Sequence, residues 1–312
     1  MEGKVANFPY NISHCHQLLT EALDQGAKIV ALPEFFTTPI IYDKRLFACS
    51  LPTDNEALQM LKDVSKKYRA IIGGSYLEKA NADVYNTYVL VEPNGTIHRH
   101  RKDIPTMVDN AFYKGGNDKG VTSISDIQLG MAMCWETIRS QTVYRLRGKV
   151  ELMMTGSHWW SEPGWPFLRR YFKRQAKLNA DHMYRAPGRF ALLVGAPLLH
   201  AAHCGEISGE FLLTSKTTVS TKTQLIGETQ IVDAKGKILA RRKAEQGPGV
   251  IFGESTIGKN EFLPMNTDGF WLEKLPIALK AMWKQQNWAA KKVYEKARKN
   301  GWLKTIHEFN DY

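Results

Sequence analysis

The fold is decided by a stretch near the start of the chain, Lys28-Ile29-Val30-Ala31-Leu32-Pro33-Glu34. A short apolar run that ends in proline is typical of a buried strand. Residues 13–25 before it carry apolar side chains at helical spacing, and Gly26 is well placed to end that helix. Residues 55–68 repeat the helical pattern and are followed by a second apolar run over 70–76. This alternation of helix and strand predicts a layered α/β structure.

The rest of the chain continues this alternation without a linker or a low-complexity segment. Further strands are predicted over residues 85–91, 97–101, 131–133, 150–155, 190–196 and 250–254, further helices over 142–147 and 168–186, and a hairpin over 225–239 that turns at 233–236. The tail from about residue 272 onward has a helical pattern. We therefore expect one domain over residues 1–260 and an appended basic, amphipathic helical tail over 261–312.

Bulk properties favour a compact cytoplasmic protein. The chain has 312 residues, of which 43% are hydrophobic, and it contains neither a long apolar run nor a secretory leader pattern. Its four cysteines are widely spaced and form no CxxC pair, which fits a reducing compartment. His200, His203 and Cys204 lie close in sequence, but with no fourth ligand a metal site is not expected.

The positive charge is concentrated in the tail. The formal net charge is +11, and residues 273–304 hold nine basic and only two acidic side chains. Because the charge accompanies no recognised nucleic-acid motif, we expect no nucleic-acid partner.

Three reactive side chains follow predicted strands. They are Glu34, Lys102 and Cys134, and open α/β sheets place reactive groups at strand ends. A thiol nucleophile, a carboxylate that takes its proton and a cation that stabilises an oxyanion suffice for acyl transfer. Each residue alone also has a plainer explanation, since a lone cysteine after a strand is usually a small buried hydrophobe.

Three segments in this order resemble the signature segments of the nitrilase superfamily. They are Leu32-Pro33-Glu34-Phe35-Phe36, Arg101-Lys102-Asp103-Ile104-Pro105-Thr106 and Met133-Cys134-Trp135-Glu136. The resemblance extends from about residue 5 to residue 254 and implies a four-layer αββα sandwich, usually assembled as a homodimer or larger homo-oligomer. It also implies that Glu34 deprotonates Cys134, that the thiolate attacks a nitrile or amide carbon, and that Lys102 and the backbone N–H of Trp135 stabilise the developing charge. The resulting thioester would then be hydrolysed without a metal or an organic cofactor.

Two features depart from the family pattern. Many members carry a second glutamate a few residues after the lysine, where this chain has the shorter Asp109. A misplacement of about 1 Å can cost on the order of a hundredfold in rate. The family's first strand is expected to be missing or shortened, because only Met1 to Tyr10 precede the matching asparagine, Asn11. A weakly active or non-catalytic scaffold is therefore the alternative to a hydrolase.

Aromatic and polar residues near the cysteine are candidates for substrate binding. Trp135 and Glu136 follow Cys134 directly, and His158, Trp159 and Trp160 follow the next strand. We expect these five residues to line an aromatic substrate pocket. The competing interpretation is that the tryptophans belong to the hydrophobic core.

The tail carries an apolar stripe that favours packing on the body or on a second subunit. Its members recur at intervals of three or four: Leu275, Leu279, Met282, Gln286, Ala290, Val293 and Ala297. Because the rest of residues 272–304 is basic and rich in tryptophan, peripheral contact with an anionic membrane surface is a second possibility.

Overall fold

The computed structural model describes residues 1–161, 169–272 and 277–309. The helices are α1 (Phe8–Asp24), α2 (Glu56–Tyr68), α3 (Ser140–Leu146), α4 (Arg169–Val194), α5 (Ile277–Lys299) and α6 (Ile306–Phe309). The strands are β1 (Ile29–Ala31), β2 (Ile71–Ala80), β3 (Asp83–Val91), β4 (Ile97–Arg101), β5 (Val121–Ile124), β6 (Ile127–Met133), β7 (Leu152–Ser157), β8 (Leu198–Ala202), β9 (Cys204–Leu212), β10 (Thr218–Val232) and β11 (Ile238–Lys243).

Two mixed sheets form the centre of the molecule. The first has the order β1-β2-β3-β4, with β1 and β2 parallel. The second has the order β11-β10-β8-β7-β6-β5, and β9 pairs with β10 outside this path. Parallel pairing of β6 with β7 and of β7 with β8 brings the carboxyl ends of these strands to one edge.

Alternating side chains divide each sheet into an inner and an outer face. In the first sheet, Tyr88 and Leu90 point toward the second sheet, whereas Val89 and Val91 pack under α1 and α2. Such period-two alternation places successive side chains on opposite faces of a strand.

The second sheet repeats the pattern. Met131 and Met133 of β6 meet the inner face of the first sheet, whereas Ala132 between them packs under α3 and α4. The layers are therefore helices, sheet, sheet and helices, which confirms the predicted αββα sandwich.

Several elements have bounds in the structure that differ from those predicted from the sequence. Helix α1 begins at Phe8 and not at residue 13, because the side chain of Asn7 accepts a hydrogen bond from the N–H of Tyr10 and Pro9 occupies the first turn. The hairpin that turns at 233–236 forms between β10 and β11, but β10 already starts at Thr218 and pairs along its first half with β9. Strands β8 and β9 occupy residues 198–202 and 204–212, where the sequence pattern predicted no strand.

Two predicted strands are wrong. The strand expected over 190–196 is the end of α4, where Phe190, Ala191 and Val194 pack at helical spacing beside Val143. A short apolar run does not by itself distinguish a buried helix from a strand. The strand expected at 250–254 forms no ladder in the described structure; Val250 contacts the core under α1 without backbone pairing.

The start of the chain contributes no strand to either sheet. Residues 1–7 are irregular, and the carbonyl of Met1 accepts a hydrogen bond of 2.9 Å from the N–H of Cys204. Strand β1 has only β2 as its neighbour and therefore forms an edge of the first sheet.

Helix α5 packs on the body. Gln286, Ala290, Val293 and Ala297 of the predicted stripe are buried, and Leu279 is only 8% exposed. Leu275 lies outside the described residues. This packing covers the apolar face that contact with a membrane surface would need, although Trp288 stays exposed. Within the described ranges, no helix is both long enough and apolar enough to cross a bilayer.

Candidate active site

Cys134 lies at the carboxyl end of β6, where a 3-10 helix (Cys134–Ile138) begins. Its φ angle is +48°, in the left-handed region that residues with a side chain rarely adopt. Phe35, next to Glu34, and Met107, two residues before Asp109, share this conformation with φ angles of +58° and +51°. Such strain costs on the order of 1–3 kcal/mol per residue and clusters at functional sites.

Glu34 follows β1, and its buried carboxylate accepts three hydrogen bonds. One oxygen binds the Asn86 amide and the Lys102 ammonium, each at 2.8 Å, and the other binds the backbone N–H of His158 at 3.0 Å. The donors come from both sheets, so the carboxylate orientation is fixed by the sandwich itself. Burial raises the pKa of Glu34 more than the nearby ammonium lowers it, which makes it a stronger base than an exposed glutamate.

Lys102 is fully buried at the end of β4 and contacts two carboxylates. Its ammonium donates to Glu34 at 2.8 Å and to Asp109 at 3.2 Å. Burial alone would lower the pKa of Lys102, but Glu34, Tyr113 and Asp109 raise it well above its ordinary value. Lys102 is therefore a fixed positive charge in the site.

Asp109 reaches the site in spite of its short side chain. Besides Lys102, its carboxylate accepts a hydrogen bond of 2.8 Å from the hydroxyl of Tyr113. Asp109 lies on a 3-10 helix (Met107–Ala111), which carries the carboxylate toward the ammonium. The structure therefore offers no sign that the shorter acid has relaxed the site.

The environment of Cys134 holds its thiol protonated. Burial raises the pKa of Cys134 and the Glu34 and Asp109 carboxylates raise it further, whereas Lys102 and the backbone N–H of His158 act in the opposite direction. A thiol with a raised pKa needs a base to become a nucleophile.

Glu136 lies elsewhere than predicted. Its carboxylate does not line the cavity at Cys134; it accepts hydrogen bonds from His100 at 3.1 Å and from the backbone N–H groups of Met133 at 2.8 Å and Asp103 at 3.1 Å. It thereby joins the residue before Cys134 to the residue after Lys102. Glu136 therefore connects the two loops and lies outside the lining of the cavity.

The other four predicted pocket residues lie together around a small cavity. Trp135, His158, Trp159 and Trp160 line it with Cys134 and Asp109, and its volume is about 30 Å³. The rings of Trp135 and Trp159 are 5.8 Å apart, so the tryptophans serve both as core and as cavity wall. A wider surface groove of about 1190 Å³ near Asp83 and Arg298 contains none of the predicted site residues.

The histidines near the site are buried and neutral. Burial, followed by the charge of Lys102, lowers the pKa of His158 to about 3, and its Nε2 accepts a hydrogen bond of 3.2 Å from the N–H of Ile40. His203 donates to the carbonyl of Glu34 at 2.8 Å, and His200 bonds the hydroxyl of Thr155 at 2.7 Å. Among residues 1–161, 169–272 and 277–309, no group of three histidines, cysteines or acidic residues could hold a metal ion.

Sequence reasoning missed seven residues of the site. They contact the catalytic groups or line the cavity: Asn86, Thr106, Met107, Tyr113, Asn179, Leu279 and Met282. Asn86 could have been noticed as a polar residue inside a strand. Leu279 and Met282 belong to the apolar stripe of the tail, where nothing in the pattern indicated a cavity.

Known proteins resemble this chain in sequence and in fold. The sequence model described as "Carbon-nitrogen hydrolase" matches residues 1–258. An aliphatic nitrilase from Rhodococcus rhodochrous is 24% identical over 265 residues, which cover 76% of this chain and 68% of that protein. A chloroplastic omega-amidase from Arabidopsis thaliana is 30% identical over 165 residues, 47% of this chain but only 44% of that protein.

Solved structures agree on the fold. An amidase from Nesterenkonia sp. AN1 superposes with a TM-score of 0.60 at 15% identity, covering 78% of this chain and 86% of that chain. A carbon-nitrogen hydrolase from Helicobacter pylori G27 gives a TM-score of 0.58 at 20% identity, covering 78% of this chain and 84% of that chain. Together with the family match over most of the sequence, these results show that the chain belongs to the carbon-nitrogen hydrolase family of the nitrilase superfamily and is an enzyme of that type.

Proposed function

We propose that this enzyme hydrolyses a small, non-peptide amide or nitrile through a thioester on Cys134. The observation that carries the proposal is the position of the Glu34 carboxylate. It is held between the Lys102 ammonium at 2.8 Å and the backbone N–H of His158 at 3.0 Å, beside a buried thiol that needs a base.

In the first half-reaction, Glu34 accepts the proton of the Cys134 thiol as sulfur attacks the substrate carbon. Negative charge moves onto the amide oxygen or nitrile nitrogen, where Lys102 and the backbone N–H of Trp135 stabilise it. For an amide, Glu34 returns the proton to the leaving nitrogen, and ammonia or an amine departs as the thioester forms. For a nitrile, addition of water to the thioimidate releases ammonia and gives the same thioester.

In the second half-reaction, Glu34 takes a proton from water. The hydroxide attacks the thioester carbon, the C–S bond breaks, and the proton returns to sulfur. Products are a carboxylic acid and free Cys134. Asp109 holds Lys102 in place throughout, since its carboxylate is 3.2 Å from the ammonium.

The names of the relatives support a nitrile or an amide as the substrate and do not distinguish between the two. One is named an aliphatic nitrilase and others are named omega-amidases. In a mutant of the Nesterenkonia amidase, acrylamide has added to the active-site cysteine by Michael addition, so the cysteine of that protein is a nucleophile. Nitriles and amides share an electrophilic carbon bonded to nitrogen, which the thiol of Cys134 can attack.

Ammonia release tests the proposal. A panel of aliphatic nitriles, primary amides and N-carbamoyl compounds is incubated with the native enzyme, Cys134→Ala and Glu34→Gln. Release with one class by the native enzyme and its loss in both variants is the expected result. Release that persists in Cys134→Ala would contradict the proposal, because no other nucleophile is assigned.

A folding control makes the loss interpretable. Cys15 is a buried thiol in the core under α1, where its pKa is raised by burial to about 12. Cys15→Ala removes a thiol of similar burial without touching the site, so it should keep its activity.

A further inference from the structure

The catalytic cavity is too small for a typical organic substrate. Its volume of about 30 Å³ compares with about 300–1,000 Å³ for pockets that bind drug-sized ligands. A single water needs roughly 10–15 Å³ measured in this way, so the cavity holds about two waters. What closes it therefore determines which substrates reach Cys134.

Part of the wall comes from the C-terminal helix. Leu279 and Met282 of α5 line the cavity together with the tryptophans, although they lie about 150 residues after the nucleophile in sequence. The next residue, Trp283, packs against Trp135 with ring centres 6.4 Å apart. Helix α5 thus contacts the residue that follows Cys134.

Hydrogen bonds fix the position of this wall. The side-chain oxygen of Asn287 accepts from the backbone N–H of Met107 at 2.8 Å and from the side chain of Asn110 at 2.9 Å. Met107 and Asn110 belong to the 3-10 helix that carries Asp109. The wall and the catalytic carboxylate therefore form one packed unit, and α5 is held at a set distance from the reaction centre.

We propose that α5 determines the size of the acyl group that the enzyme accepts, with Leu279 and Met282 as specificity-determining residues. This inference rests on the proposed function. Both side chains occupy the space into which a longer acyl chain would extend from a thioester on Cys134. The rest of the lining combines the tryptophan rings and Met107 with four polar side chains, which are Thr106, Asp109, His158 and Asn179. The small volume of the cavity therefore favours a short acyl group.

The test truncates the wall. Leu279→Ala, Met282→Ala and the double variant are compared with the native enzyme on aliphatic primary amides and nitriles of increasing chain length. In an apolar pocket one methylene is worth about 10–200-fold in discrimination, so the ratio of kcat/KM for a six-carbon over a two-carbon substrate should rise at least tenfold. Val293→Ala on the same helix is the control, because Val293 is buried in a different cluster. It should leave the ratio unchanged.

A second readout does not need turnover. The rates at which iodoacetamide and the bulkier N-phenylmaleimide modify Cys134 are followed by peptide mass spectrometry. Truncating Leu279 and Met282 should raise the rate of Cys134 modification by N-phenylmaleimide at least tenfold. The rate of modification by iodoacetamide should change by less than about threefold. The kcat/KM ratio of the six-carbon to the two-carbon substrate and the rate of labelling by N-phenylmaleimide should rise in the same variants.

The outcomes separate the two proposals. If the bulky reagent labels the native enzyme as fast as the truncated variants, or if Val293→Ala has the same effect, the wall is not α5, whereas the Cys134 chemistry stands. If iodoacetamide does not favour Cys134 over Cys15 and no substrate is turned over, the proposed function fails, and the specificity proposal fails with it.

Discussion

Replacing Glu136 by glutamine should weaken both stability and catalysis, because its carboxylate joins the two loops that hold Lys102 and Cys134. Glu136 is fully buried and pairs with His100 at 3.1 Å. Burial alone would lower the pKa of His100, but Glu136 and then Asp118 raise it from 6.5 to about 9. Glu136→Gln keeps the shape of the side chain and removes its charge.

The size of the effect follows from this pKa. Because the pKa of His100 is higher in the folded state, its contribution is complete below about pH 6.5 and is lost as the pH rises through about 9. At pH 7 this shift corresponds to about 2–3 kcal/mol. Because Asp118 supplies part of the same shift, Glu136→Gln should lower the free energy of unfolding at pH 7 by at most about that amount, and it should flatten the decline between pH 7 and pH 10.

Urea denaturation from pH 6 to pH 10 measures both quantities. Glu92→Gln is the matched control, since it removes a second histidine-glutamate pair, His98 with Glu92 at 2.7 Å, whose side chains are partly solvated. Glu92→Gln should lower the free energy of unfolding by less than about 1 kcal/mol. A Glu136→Gln variant as stable as native protein at pH 7, with the same pH dependence, would refute the role given to this pair.

Catalysis should change in a way that a purely structural loss would not. Glu136 accepts from the backbone N–H groups of Met133 and Asp103. Loosening these contacts displaces the nucleophile and the cation relative to each other, and an error of about 1 Å can cost on the order of a hundredfold. In the folded variant, kcat should fall tenfold to a hundredfold in steady-state assays while KM changes little.

Two other substitutions test the geometry of the site. Asp109→Asn leaves Lys102 without one of its two carboxylates, and ammonia-release kinetics should show a fall in kcat of about a hundredfold, whereas Asp109→Glu should keep activity. In Gly156→Ala the added Cβ would stand 2.4 Å from the backbone nitrogen of Glu34, so kcat and the thermal midpoint should both fall. In the control, Gly253→Ala, the closest atom is a flexible side chain at 3.3 Å, and neither value should change appreciably. Native-like kcat in Asp109→Asn or Gly156→Ala would contradict the assigned geometry.

The layered α/β class and the strand-end position of the reactive residues could be predicted from the residue pattern, whereas the four-layer αββα arrangement is implied by the resemblance to the nitrilase superfamily. Apolar runs such as residues 28–33 indicate buried strands, and the polar residue after each run must lie at a sheet edge. The stretch 190–196 could not be assigned in this way, because an apolar run of that length suits a buried helix equally well. Its packing against α3 favours the helix, and α3 lies far from this stretch in sequence.

The remaining site residues depend on contacts between distant parts of the chain. Asn86 meets Glu34 only through the pairing of β3 with its neighbours, 52 residues away in sequence. Helix α5 reaches the cavity through the bond between Asn287 and Met107, which are 180 residues apart. The position of Glu136 just after Cys134 predicts a place in the pocket with Trp135, whereas only Trp135 lines the cavity and the Glu136 carboxylate binds the backbone of Met133 and Asp103.

The thioester on Cys134 is the central claim, and acid-quenched intact-mass spectrometry during turnover tests it most directly. With a substrate identified by ammonia release, the native enzyme should gain the mass of the acyl group, peptide mapping should place it on Cys134, and hydroxylamine should remove it. Glu34→Gln should retain any adduct longer, because it lacks the base that activates water. Turnover with no adduct on the native enzyme under rapid quenching, or an equal adduct on Cys134→Ala, would contradict the account.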